Sequence, residues 1–147
     1  MNVATGGIYL IGFAFSLLVG RWATQRVLAT IPTETAHYSA ELLGLVEATI
    51  YTTAWLLGRE VFIPVWLGLK VSGNWRAPLR QVRPIFNRWL IGTGMSLAYG
   101  IVGAEFIKHA KPGEWWMAVG LPILLVVGTL LLAWWGRVLE RGAAEGR

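Results

Sequence analysis

Long uncharged stretches alternate with short polar ones along this chain, and their lengths set the expected elements. Met1 to Gly20 carries no charged side chain, and 20 residues at about 1.5 Å each suffice to cross a hydrocarbon layer of about 30 Å. Met1-Asn2-Val3 lacks the basic start of a cleaved signal and Gly20-Arg21-Trp22 is no small-x-small site, so this span is expected to be retained. Trp115 to Gly136 is uncharged over 22 residues and bracketed by Trp115-Trp116 and Trp134-Trp135. About 19 steps of 1.5 Å put those pairs about 28 Å apart, the separation of two interfacial belts. Trp89 to Ile107 is a third span, uncharged until Glu105 and followed by Lys108-His109.

The remaining apolar segment, Leu42 to Leu69 and on to Val71, holds Glu47, Arg59, Glu60 and Lys70. As one helix it would run about 45 Å, half as long again as the hydrocarbon core, so it either tilts strongly or breaks. The break is expected between Gly58 and Pro64, because Pro64 has no N–H to give to the Glu60 carbonyl. Val61 to Leu69 would then be re-entrant or in-plane, since the 11 residues Val61 to Val71 fall short of the roughly 17 a crossing needs. The expected architecture is all-α, an integral-membrane four-helix bundle forming a single multi-pass domain over residues 1–147. Its spans are expected at 1–20, 42–69, 89–107 and 115–136.

Composition agrees with a bilayer as solvent: charged residues are 14% of the chain and mean hydropathy is +0.54. All 8 acidic residues are Glu and there is no Cys. Aspartate-based calcium loops, Ser-His-Asp triads, thiolate chemistry and disulfides are therefore excluded. Lys70, Arg76, Arg80, Arg83 and Arg88 fall in one connection, and Arg137, Arg141 and Arg147 follow the last span. Against these eight stand the four of Arg21, Arg26, Lys108 and Lys111. The positive-inside rule then places both termini on the cytoplasmic side of the cell membrane. As a topology signal, this basic stretch needs no nucleic acid to explain a sequence pI near 10.1.

Gly92, Ser96, Gly100 and Ala104 recur every four residues, a small-residue stripe that lets another helix approach closely, within the bundle or across a subunit interface. Gly44, Ala48 and Thr52 make a shorter stripe suited to face it. Glu47, Tyr51, Trp55 and Arg59 also step by four along one face. An ionised group near the bilayer centre costs at least about 2.5–3.5 kcal/mol, so Glu47, Tyr51, Arg59, Glu60 and Glu105 are the candidate path or intramembrane polar site. The alternative leaves Glu47 and Arg59 at opposite interfaces with their ends snorkelling. Glu105 and His109 are expected on the same outer side as Glu34, His37 and Glu41; the first two could form a proton relay, and an enzyme site would need the two outer loops to converge near Glu105. A single Glu-x-x-His is too few ligands for a di-metal bundle, so no metal or cofactor is assigned and no residue is assigned as catalytic.

Three functions follow in order. The first is a pathway for an ion, proton or small polar solute, in a homo-oligomer or bundle. The second is an anchoring or accessory subunit docked on another membrane protein through the small-residue stripe. The third is a lipid-modifying enzyme using Glu or His as general acid or base.

Overall fold

The computed structural model describes residues 3–30, 38–74, 83–111 and 114–145, and among these every regular element is helical. Helix α1 (Val3–Ala14), a π-helical turn (Phe15–Val19) and α2 (Gly20–Leu28) follow without a break and form one rod. Then come α3 (Tyr38–Leu56), α4 (Phe62–Asn74), α5 (Arg83–His109) and α6 (Trp115–Glu145). The described chain thus makes five helical rods where four were expected, because the second apolar segment is a hairpin of two helices.

Gly58 makes that hairpin. Its φ of 63° is left-handed, and around it the N–H of Gly58 bonds the Trp55 carbonyl (3.3 Å) while that of Arg59 bonds the Ala54 carbonyl (2.8 Å). This is a Schellman end, which satisfies the last carbonyls of α3 and turns the chain back. The expected break is present, but its cause is the glycine. Pro64 sits in the first turn of α4, where its missing N–H costs least. Ile63 packs against Ala54 and Tyr51, Trp66 packs on the same cluster, and Lys70 reaches Glu47, so α4 runs antiparallel to α3.

Contacts fix the other directions. Gly12 lies against Ile107 and Gly103, Gly20 against Tyr99, and Leu28 against Gly92, so the first rod is antiparallel to α5. Gly44 faces Ser96, Tyr51 faces Gly100, and Trp55 bonds Glu105, so α3 runs parallel to α5. The Tyr99 and Thr129 hydroxyls meet at 3.0 Å, and Gly136 packs on Thr30, joining α6 to α5 and to the end of α2. The first residues of α1 and the last of α6 consequently lie at opposite ends of the bundle.

One end holds the Gly58 turn, the start of α1 and the α5–α6 connection, with Arg59, Lys108 and Lys111. The other holds the ends of α2 and α6 and the starts of α3 and α5, with Arg21, Arg26, Arg83, Arg88, Arg137 and Arg141 toward it. Arg76, Arg80 and Arg147 lie outside the described residues.

The packing is inverted relative to a water-soluble core. Ala23, Ala48, Ala54, Ala104, Ala118 and Ala133 are buried together with Ser16, Thr52, Thr93, Ser96 and Thr129. The large apolar side chains, among them Leu10, Leu18, Val61, Leu69, Leu124 and Leu132, point outward. Three helical segments are long and apolar enough to cross a membrane: Thr5–Leu28, Arg88–His109 and Trp115–Leu139.

Candidate functional site

The hairpin's register builds the site. Glu47 stands at the middle of α3, and antiparallel return of α4 brings Lys70 onto it as a direct ion pair. The Glu47 side chain is 2% exposed and that of Lys70 11%. Lys70 Nζ also donates to Thr93 Oγ1 of α5 (2.5 Å) and lies 4.6 Å from the centroid of the Trp89 ring, a cation–π contact. The ammonium is therefore held by a carboxylate, a hydroxyl and an aromatic face supplied by two neighbouring helices.

One turn further along the hairpin, Tyr51 is fully buried, and the indole N–H of Trp66, across from it on α4, faces its hydroxyl.

Toward the turn end a second polar group follows. Trp55 donates its indole N–H to Glu105, which also faces Lys108 Nζ (3.4 Å) and His109 Nε2 (3.1 Å). His109 Nδ1 lies 2.7 Å from Glu114. Lys108 sits 5.3 Å over the Trp55 ring. Polar groups thus succeed one another along α3: Lys70–Glu47, then Tyr51 and Trp66, then Trp55–Glu105, then His109 and Glu114 at the surface. Among the described residues no three potential metal ligands converge.

A separate hydroxyl contact fixes the first rod. Ser16, inside the π-helical turn, lies 3.1 Å from the Gly12 carbonyl, 3.2 Å from the Tyr99 carbonyl and 3.1 Å from Thr52 Oγ1, which is itself 2.7 Å from the Ala48 carbonyl. The turn's extra residue aims Ser16 into α3 and α5, a common use of such bulges.

Glu47, Tyr51 and Glu105 fall along this line of polar groups. Arg59 and Glu60 do not: both are exposed on the hairpin turn, and neither lies at mid-bundle. Arg59 stands at the mouth of an open apolar groove of about 730 Å³ between the outer faces of α3 and α4, lined by Ile50, Thr53, Leu57, Phe62 and Val65. The stripe Gly92, Ser96, Gly100 and Ala104 is turned inward, its glycines and serine against Leu28, Gly44 and Tyr51, with Ala104 fully buried. Trp115, Trp116, Trp134 and Trp135 are all exposed, one pair at the start of α6 and one near the level of Arg137.

Parallel α3 and α5 place the start of α3, with Glu41, at the end opposite Glu105; Glu34 and His37 lie outside the described residues. Lys70, Trp66 and Thr93 were missed from sequence, Lys70 having been assigned to the basic connection. The available signal was that Lys70 sits inside the apolar run Val61 to Val71, 23 positions after Glu47, with a glycine turn midway. Comparison of the chain with protein-family models, with curated proteins and with solved structures finds no match.

Proposed function

We propose that the protein is a multi-pass membrane protein that passes a proton, small ion or small polar solute along the inner face of the α3–α4 hairpin. The supporting observation is the Glu47–Lys70 ion pair, buried at mid-helix beside the Tyr51 hydroxyl and the Trp66 indole and continued toward one end by Trp55, Glu105 and His109. A buried ion pair contributes little net stability and is destabilising when broken, so its retention in apolar surroundings favours a functional role. Glu47 and Tyr51 are tightly enclosed, which suits a proton or a bare small ion better than a hydrated one.

The inverted packing and the three long apolar segments favour a bilayer, with small residues inside because lipid offers no hydrophobic penalty to large ones outside. With α4 returning, the bundle has its N-terminal end opposite its C-terminal end. Six Arg lie toward the latter and three basic residues toward the former, so the positive-inside rule favours a cytoplasmic C-terminus and an N-terminus on the other side. An accessory-subunit role loses its main argument, since the small-residue stripe is used within the chain.

Flux into vesicles reconstituted with the purified full chain tests the reading. Glu47→Gln and Lys70→Met are expected to lower it at least tenfold, while Arg59→Ala and Glu60→Gln, exposed on the turn, leave it within about twofold. Equal flux in all four variants and the parent chain, under every proton and salt gradient applied, would overturn it.

A further inference from the structure

The open groove of about 730 Å³ lies between the outer faces of α3 and α4, apart from the polar line on the inner face of the hairpin. Its walls are mostly apolar: Leu57, Val61, Phe62 and Val65 stand along it with their side chains exposed. At its far end the Thr49 hydroxyl donates to the Leu45 carbonyl (2.9 Å) and so asks nothing of an occupant. At the other end, on the hairpin turn, the lining includes one charged side chain, Arg59. Glu60, the next residue, is not part of the lining, and no carboxylate among the described residues pairs with Arg59.

The length of the groove matches one lipid tail. From Thr49 to Leu57 it follows α3 for about eight steps of 1.5 Å, hence about 12 Å, and the turn bearing Arg59 lies just beyond. One leaflet of a hydrocarbon core about 30 Å thick is about 15 Å deep. An apolar slot one leaflet deep, with a guanidinium where the headgroups begin, has the two-part chemistry of an amphiphile with a negative head.

We propose that this groove is a binding site for a phospholipid of net negative headgroup, with one acyl chain lying between Ile50, Thr53, Phe62 and Val65 and the phosphate held by Arg59. The guanidinium is a planar fork of donors that meets two phosphate oxygens at once. In a zwitterionic headgroup the same phosphate carries its own cation, which weakens its attraction for Arg59. The site goes beyond the passage reading and does not rest on it; it needs only the bilayer setting. A second copy of the chain fits the groove less well, because a two-fold contact across this patch would bring a second Arg59 to it with no carboxylate in the lining to neutralise either. Of the other basic groups at this end, Lys108 faces Glu105 and the Trp55 ring, Lys111 is exposed, and neither lines the groove.

The test is native mass spectrometry of the full chain in detergent, offered equal amounts of phosphatidylglycerol and phosphatidylcholine with the same acyl chains. The one-to-one complex with phosphatidylglycerol is expected to exceed that with phosphatidylcholine about tenfold, the size of a hydrogen-bonded contact between charged groups. Arg59→Gln should bring the two lipids within about twofold of each other. Lys111→Gln, at the same end but outside the groove, should keep the preference of the parent chain. Thr53→Phe, which fills the slot at mid-depth, should lower retention of both lipids about tenfold through the acyl contacts it displaces. All three positions are exposed, and an unchanged elution volume in size-exclusion chromatography reports an intact fold. Should Thr53→Phe shift its elution, the other two variants decide the outcome by themselves.

Equal retention of the two lipids by the parent chain would overturn the site. So would a preference that survives Arg59→Gln, or one that Lys111→Gln removes equally, since either assigns it to the charge of the whole end. A parent dimer that retains no lipid and that Thr53→Phe dissociates would overturn it in favour of a second copy.

Discussion

Removing either partner of the Glu47–Lys70 pair should destabilise the protein, and the two losses should respond to pH in different ways. Lys70→Met leaves a carboxylate in an enclosed, apolar site; breaking a buried pair this way costs about 3–5 kcal/mol. The orphaned group has an escape, which is to bind a proton. Holding an ordinary carboxylic acid protonated costs about 1.36 kcal/mol per pH unit above about 4.3, hence about 3.7 kcal/mol at pH 7 and about 1 kcal/mol at pH 5. In this variant the folded chain binds a proton more readily than the unfolded one, so its stability rises as pH falls. Glu47→Gln orphans the ammonium instead. Neutralising an ordinary lysine costs about 4.6 kcal/mol at pH 7 and more at pH 5, so acid brings no recovery. Substituting both residues removes both charges and should return stability to within about 1 kcal/mol of the parent. Thermal unfolding in detergent or nanodiscs, followed by tryptophan emission, reads these differences. At about 2–4 °C per kcal/mol, Lys70→Met should melt about 10 °C below the parent at pH 7 and within about 4 °C at pH 5. Parallel pH dependences for the two single variants, or a double variant no more stable than the worse single, would refute the reasoning.

The remaining predictions concern geometry. A side chain at Gly103 would place its Cβ 2.7 Å from the Gly12 carbonyl oxygen, backbone that cannot yield, so Gly103→Val should separate the first rod from α5 and abolish the monodisperse species in size-exclusion chromatography. Gly100→Ala meets Tyr51 Cβ at 2.9 Å and the Ala48 carbonyl at 3.3 Å and should cost about 1–3 kcal/mol in the same thermal assay. Gly58→Ala meets no atom within 4 Å but must adopt a φ near 63°, so its cost should be about 1 kcal/mol, read as a lowered melting point with flux retained. Because the chain has no native cysteine, Thr5→Cys and Arg137→Cys can be labelled singly in intact vesicles; the proposed topology requires reaction from opposite sides, and labelling from one side would refute it.

How far the site could be read in advance depends on the residue. Glu47 was visible because a carboxylate between Val46 and Ala48 in an apolar run is expensive wherever the run is buried. Its partner was not, because Lys70 is flanked by polar sequence on one side and reads equally well as the edge of a loop. The same ambiguity made Arg59 and Glu60 look like intramembrane charges when they sit on a turn. Glu105 was identified, but Glu41, expected near it, stands in the first turn of α3, at the other end.

Composition and run length alone determined that the chain is helical and built from long apolar segments, because those properties are local sums over 20 or so residues. The small-residue stripe, too, was readable from a spacing of four. The left-handed Gly58, the direction of α4, and with it the number of rods and the ends at which the termini lie, were decided by tertiary structure. A single glycine tolerates either a continuing or a reversing backbone at nearly equal cost, so only packing of Ile63, Trp66 and Lys70 onto α3 selects the hairpin. The ion pair, the meeting of the Tyr51 hydroxyl with the Trp66 indole and the relation of Glu47 to Thr93 all follow from that selection, and none of them exists until the two helices are side by side.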